Sequence, residues 1–246
     1  MIIDSHIHIG KSEKTHRSFT FESCKELMCK NGINSAIVMP NLSTKKVFSE
    51  LNKSFMEDYF MLNDKEPFYP FILIDSHDQK TFEQMRIYRK EIYGVKYHPS
   101  ISELEIDNQR LLRYLELVDE FKFLCLVHCG RDKRSHISYL AQVAEIFPSI
   151  SFIAAHLGGN ATDLSEKAIL YLEQERSKNI YLDTSAGKLP WLIERAVERL
   201  GMERVVFGSD EPYADVRVAK YLIDLANVSV EAKECIFYKN IERMLK

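Results

Sequence analysis

His6 and His8 stand one residue apart in the opening segment Asp4-Ser5-His6-Ile7-His8-Ile9-Gly10. Side chains two apart on an extended strand point to the same face, so both imidazoles can reach one ion. Of the chain's 8 histidines, five (His6, His8, His98, His128 and His156) fall at the C-terminal ends of short apolar runs. Asp210 closes another such run, in Val205-Val206-Phe207-Gly208-Ser209-Asp210. Imidazoles gathered with one carboxylate supply the nitrogen and oxygen donors that a divalent transition metal takes. The plainer alternative is a set of hydrogen-bonded core histidines. Scatter alone, however, would place only about one histidine at such strand ends.

The elements that must position these residues are legible as a repeating alternation. Apolar runs rich in β-branched and aromatic residues cover 2–9, 33–40, 68–74, 93–98, 123–128, 151–156, 179–184 and 204–209. Between them lie stretches with helical spacing: Leu111, Leu112, Leu115 and Val118; Ile137, Leu140, Ala141 and Ala144; Ile193, Ala196, Val197 and Leu200; Val218, Tyr221, Leu222 and Leu225. Several runs are apolar throughout, which predicts a parallel sheet covered on both faces. Eight strand–helix units in 246 residues allow about 31 residues each, the size expected of a (β/α)8 barrel. The reading is an α/β fold: one distorted TIM-barrel domain over residues 1–246, closed by extra helices between 228 and 246. An open doubly wound sheet is the structural alternative, but neither GxGxxG nor GxxxxGK[ST] is present.

Composition narrows the function classes. With 46% hydrophobic and 28% charged residues, the chain has the material of an ordinary globular core. A net charge of −3, from 33 Lys+Arg against 36 Asp+Glu, argues against an electrostatic nucleic-acid binder. The longest uncharged run, 146–162, holds Pro148, His156, Gly158, Gly159 and Asn160, so no membrane span is expected. The N-terminus lacks the basic region of a signal peptide. Cys24, Cys29, Cys125, Cys129 and Cys235 match no zinc-binding CxxC pattern, and reduced thiols in the cytoplasm are the simple expectation.

The segments DSHIHIG, GVKYHP, LVHCG, AHLGG and FGSDEPY resemble successive strand motifs of the amidohydrolase superfamily. The likeness is to its amidohydrolase-related branch, which includes aminocarboxymuconate-semialdehyde decarboxylase-like enzymes. The terminal Asn240-Ile241-Glu242-Arg243-Met244-Leu245 is similar to that branch's closing helix motif. The resemblance implies a barrel with a divalent metal at its rim, zinc foremost. It implies His6, His8, His128 and Asp210 as ligands, and His156 as the residue that orients or activates water or substrate. Binuclear members bridge two ions with a carboxylated lysine on strand 4, where this chain has Lys96. A free Lys96 ammonium would instead hold a substrate carboxylate, with His98 contacting substrate or bonding the following loop. TatD-type nucleases share the fold and the HxH opening, but carry a glutamate on strand 4, where this chain reads GVKYHP.

The expected chemistry is hydrolysis of a small carboxylate-bearing ester, lactone or amide. A zinc ion brings the pKa of water towards about 7, with Asp210 as proton carrier and the metal or His156 polarising the carbonyl. Non-oxidative decarboxylation is the alternative, since the same residues serve both reactions. A non-catalytic metal-binding barrel is the third class. Expected partners are a small-molecule substrate and, for assembly, a homodimer; neither nucleic acid nor membrane is expected. Arg131 is a candidate for an anionic substrate group or a surface ion pair. Ser185 is a candidate substrate donor or helix cap. Cys129 should face away from His128 and pack, Trp191 should be core or pocket wall, and His16, His77 and His136 should be surface residues. The loop 10–21 and the segment after strand 7 should shape the pocket.

Overall fold

The computed structural model describes residues 1–12, 16, 18–42, 47–187 and 189–246. The first half of the chain runs β1 (Ile3–Lys11), a short β2 (Ser18–Phe19), α1 (Phe21–Asn31), β3 (Ser35–Pro40), α2 (Phe48–Phe60), β4 (Phe68–Leu73), α3 (Lys80–Ile87), β5 (Gly94–Tyr97) and α4 (Gln109–Phe121). The second runs β6 (Leu124–Val127), α5 (Ile137–Ile146), β7 (Phe152–Ala154), α6 (Thr162–Gln174), β8 (Ile180–Asp183), α7 (Pro190–Leu200), β9 (Val205–Val206) and α8 (Val216–Leu225). All eight expected strands are present, most of them trimmed at their ends and the first extended to Lys11, and a helix separates each from the next.

The sheet order is β2-β1-β3-β4-β5-β6-β7-β8-β9, parallel throughout except where β2 folds back on β1. The two ends of the sheet meet. Ser5 N donates to Phe207 O at 2.9 Å, His8 N to Glu211 O at 2.7 Å and Asp210 N to His6 O at 2.8 Å. These bonds join β1 to the segment that leaves β9, which is how a (β/α)8 barrel closes.

Strand alternation then divides the core into two layers. Val38, Ile72, Val95, Cys125, Val127, Phe152 and Phe207 pack outward against the helices. Ile3, Ile37, Met39, Phe71, Leu124, Leu126, Ile153 and Val206 fill the barrel interior. Gly94 lies on the inward side of β5, where a Cβ would come within 2.5 Å of the Phe71 ring, so the missing side chain makes room for that ring. In β1 the phase changes midway. Asp4 pairs with Ala36 and Ile7 with Val38, so β1 carries one extra residue between them. Such a bulge re-aims side chains. Ile3 therefore faces the barrel interior while Ile7 packs outward, and His6 and His8 take the inward positions.

The helices confirm three of the four expected faces and correct one. On α8 the buried residues are Val216, Ala219, Leu222 and Ile223, whereas Val218, Tyr221 and Leu225 are exposed. Both sets have helical spacing; the small Ala219 allows the close approach that the bulkier set would prevent. Past α8 the chain stays helical, with α9 (Val230–Glu234), a π-helical turn at Cys235–Lys239 and α10 (Asn240–Leu245). Ile241 packs under the barrel interior, and the Asn240 amide donates to the Met202 and Val205 carbonyls, both at 2.8 Å. Cys24, Cys29, Cys125, Cys129 and Cys235 are unpaired. Among the described residues, no helix is long and apolar enough to cross a membrane.

Candidate active site

The inward phase of β1 brings His6 and His8 together at the C-terminal mouth of the barrel, with their Nε2 atoms 3.1 Å apart. What lies behind each ring fixes its tautomer. His6 Nδ1 faces Asp183 Oδ2 at 2.8 Å, and His8 Nδ1 faces the Pro40 carbonyl at 3.3 Å. Both partners accept, so each Nδ1 carries the proton and each Nε2 turns a lone pair to the mouth. Asp210 Oδ1 lies 3.4 Å from His6 Nε2 and 3.3 Å from His8 Nε2. Three electron-pair donors from the closing edge of the barrel thus converge on one point.

Asp210 reaches this point from a left-handed residue, with φ 67°, in the turn after β9. Burial acts to raise its carboxyl, but the surrounding imidazoles outweigh burial and hold it below the usual carboxylate range. Lys96, on the inward side of β5, is only 1% exposed, and its Nζ lies 3.1 Å from His6 Nε2. Burial lowers its ammonium to about 8, against the pull of Asp183 and Asp210. Burial, reinforced by the Lys96 charge, lowers His6 to about 4, so this imidazole is neutral at pH 7.

The opposite side of the mouth is a chain of rings. His98 and His128 stack with centroids 3.9 Å apart, and burial lowers both well below the ordinary imidazole value. His128 Nδ1 lies 3.2 Å from His156 Nε2. Simple alternation after Ile153 and Ala155 would turn residue 156 outward. His156 and Leu157 instead have φ of 61° and 50°, and this left-handed step swings the imidazole into the mouth. Burial lowers the His156 imidazole too.

His6, His8, Lys96, His98, His128, His156 and Asp210 all line one cavity of about 430 Å³, with Leu42, Ile101, Asn160 and Tyr213. Within it, His6, His8 and Asp210 form a compact three-donor group, which His128 does not join. His98 both lines the cavity and lies 3.3 Å from Ser100 Oγ in the following loop. Arg131 is exposed and lies outside the lining, so the structure does not bring it to this site. Trp191 is 38% exposed on α7, neither core nor pocket wall, a position its helix face leaves towards solvent. Cys129 packs outward as expected, and His16, His77 and His136 are exposed. His136 caps α5, accepting from Ser138 N. Of the loop 10–21, residues 13–15 and 17 lie outside the described residues, as does residue 188 after β8.

Asp183 is the site residue that motif reading misses. It is fully buried at the inward end of β8. The one available signal is a carboxylate ending the otherwise apolar run Ile180-Tyr181-Leu182-Asp183. Burial acts to raise its pKa, and the donors around it, His6 and Ser185 among them, outweigh burial and hold it ionised. Ser185 neither caps α7 nor faces the cavity. Its hydroxyl donates to Asp183 Oδ1 and lies 2.8 Å from His156 Nδ1.

A sequence model of the amidohydrolase family matches residues 50–246. The chain belongs to the amidohydrolase family. With that membership it is an enzyme of the amidohydrolase superfamily, in agreement with the strand-end motifs. No curated protein sequence matches this amidohydrolase. Its fold is similar to that of a 5-carboxyvanillate decarboxylase from Sphingomonas paucimobilis, with TM-score 0.78 and 11% identity over 99% of this chain and 98% of that one. An amidohydrolase from Burkholderia multivorans with bound zinc gives TM-score 0.77 and 12% identity over 100% and 99%. A Pseudomonas putida protein assigned as a 2-pyrone-4,6-dicarboxylic acid hydrolase gives TM-score 0.73 and 12% identity over 99% and 97%.

Proposed function

We propose that this amidohydrolase is a metal-dependent hydrolase of a small carboxylate-bearing ester, lactone or amide. The observation that carries the reading is the convergence of His6 Nε2, His8 Nε2 and Asp210 Oδ1 within 3.1–3.4 Å of one another. Lone pairs gathered that closely repel unless a cation relieves them. The Lys96 ammonium contacts His6 Nε2 at 3.1 Å, and a zinc ion, which suits an N, N, O donor set, would serve all three. His128, across the cavity, is the candidate fourth donor. A divalent ion held there supplies Lewis acidity, polarising a carbonyl and making water a nucleophile near neutral pH.

The chain's own side chains do the rest. Ionised Asp210 takes the proton from the attacking water and delivers it to the leaving group. His156, protonated at Nδ1 by its contact with Ser185, offers an Nε2 lone pair, 3.2 Å from His128 Nδ1, which can orient that ring or a water but does not polarise a carbonyl. The Lys96 ammonium holds the substrate carboxylate, and Leu42 and Ile101 give the cavity an apolar wall. A volume of about 430 Å³ fits a small molecule. Unpaired cysteines fit a reducing, cytoplasmic setting.

Decarboxylation is the second reading, favoured by the fold likeness to the 5-carboxyvanillate enzyme. Both that name and the pyrone dicarboxylate name describe carboxylate-bearing compounds, which agrees with a cation in the cavity. The test is a panel of small carboxylated esters, lactones, amides and aromatic acids given to zinc-loaded protein. Acid release without carbon dioxide is the expected result. Carbon dioxide release without hydrolysis would replace the hydrolase by the lyase, and bound zinc with no turnover anywhere would support a binding barrel.

A further inference from the structure

Asp183 uses both of its oxygens, and it uses them on opposite sides of the mouth. Oδ2 accepts from His6 Nδ1 at 2.8 Å. Oδ1 accepts from the backbone of His156 at 2.8 Å, from the backbone of Ser185 at 3.0 Å and from the Ser185 hydroxyl. Since that hydroxyl directs its only proton at Asp183, its oxygen can only accept: from His156 Nδ1 at 2.8 Å and, more distantly, from His6 Nδ1 at 3.3 Å, whose nearer partner is Asp183 Oδ2. The His156 ring then presents an unprotonated Nε2 to His128 Nδ1. A carboxylate at 0% exposure is costly to bury and contributes little net stability, so four donors arranged around it call for another reason.

We propose that Asp183, with Ser185 as its extension, is a positioning residue that sets the tautomer of His6 and His156 together. One carboxylate holds Nδ1–H on both rings, directly for His6 and through the hydroxyl for His156. Both Nε2 lone pairs are thereby aimed into the mouth in the same resting state. The proposal rests on the reading that His6 gives its Nε2 to a metal, and it extends that reading to residues outside the ligand set. It also assigns a role to the buried trio His6, His156 and Asp183, whose donor atoms lie close enough to suggest a second metal site. The Ser185 hydroxyl already bridges Asp183 and His156, so hydrogen bonds rather than an ion join them.

The test is 15N NMR of histidine-labelled full-length protein, metal-free and then titrated with zinc, for wild type, Asp183→Asn, Ser185→Ala and Ser185→Thr. Wild type should show His6 and His156 both protonated at Nδ1. A carboxamide in place of the carboxylate can turn its NH2 towards His6, so Asp183→Asn should shift both rings towards Nε2–H and weaken zinc binding about 10–100-fold. Ser185→Ala should shift His156 alone and leave zinc affinity within about threefold, while Ser185→Thr, which keeps the hydroxyl, should restore His156. A general loss of packing would not shift one ring and spare the other.

Unchanged tautomers and zinc affinity in a folded Asp183→Asn would overturn the proposal. So would a second zinc equivalent in wild type that this variant loses. If Asp183→Asn does not fold, Ser185→Ala decides: a shifted His156 supports the hydroxyl link and an unshifted one refutes it. Wild type that takes up no zinc refutes the metal reading, while the ring tautomers still score the positioning role separately.

Discussion

The interior of the barrel has a floor and a mouth, built from the same strands and only a few residues apart. On the floor, Ile3, Ile37, Met39, Phe71, Leu124, Leu126, Ile153 and Val206 meet Ile241 from the closing helix. At the mouth, the inward positions become His6 and His8, Lys96, His128, Asp183 and Asp210. Along β6 the change takes one step of alternation, from Leu126 to His128. The floor removes apolar surface from water, which is the main stabilising term in folding. The mouth buries charges and imidazoles, which costs stability unless each is paired. The two ends of the barrel interior thus divide the work: the floor holds the barrel closed and the mouth is free to be chemically specialised.

The largest effect should come from Asp210→Asn at the mouth. Asn keeps the size and one oxygen but removes the charge and the basic site. General acid–base catalysis contributes about 10²–10⁴-fold, so kcat should fall by at least that much. Zinc should still bind, more weakly, and thermal unfolding should change little. Elemental analysis and turnover on the same sample make the check; turnover within about threefold of wild type would end the proton-carrier role.

Leu126→Ala moves the disruption one step of alternation down the barrel interior and should reverse the pattern. Leu126 is fully buried on the floor. Large-to-small substitution in such a core costs about 2–5 kcal/mol. Denaturant unfolding should show that loss while zinc stoichiometry stays as in wild type. A variant that keeps its stability but loses zinc would mean that floor and mouth are one coupled unit.

Lys96→Ala tests the anionic side of the mouth. A hydrogen bond to a charged group contributes roughly 1.5–3 kcal/mol, and about 1.4 kcal/mol is tenfold in affinity. KM for a carboxylated substrate should therefore rise at least about tenfold with zinc content near one per chain. A fall from two ions to one would identify Lys96 as a carboxylated bridge instead.

Much of this division is readable in the sequence, for a physical reason. Strand alternation and helical spacing depend only on local geometry, so the eight strands and the strand-end His6, His8, Lys96, His98, His128, His156 and Asp210 stand out. What escapes is whatever depends on a departure from that geometry or on a distant partner. The bulge that flips β1 after Asp4 and the left-handed step at His156 leave no mark on the pattern. Two helical registers in α8 compete, and only packing chooses Ala219 over Val218. Asp183 has no motif because its meaning lies in contacts 177 and 27 residues away. Arg131 fails for the converse reason: closeness to His128 in sequence did not place it in the cavity.

Gly208 stands where floor gives way to mouth, between Val206 and Asp210, and replacing it with alanine should give the smallest effect. A Cβ there would lie 3.1 Å from His6 Cβ and from Ser5 Oγ, and 3.3 Å from Asp183 Cβ. These are tight contacts rather than collisions, so a neighbour must yield by a few tenths of an ångström. Losing glycine's freedom in the unfolded chain stabilises by about 0.4–1 kcal/mol, while overpacking a filled interior costs about 1–3 kcal/mol. The second term is larger, and the net expected loss is about 1 kcal/mol in denaturant unfolding. The atoms that yield are those that carry the His6–Asp183 bond, so zinc affinity should fall a few-fold as that bond lengthens. If Gly208→Ala instead gains stability and binds zinc as wild type does, the mouth has slack that the floor lacks. His6 would then be held by the metal itself rather than by a closely fitted wall behind it.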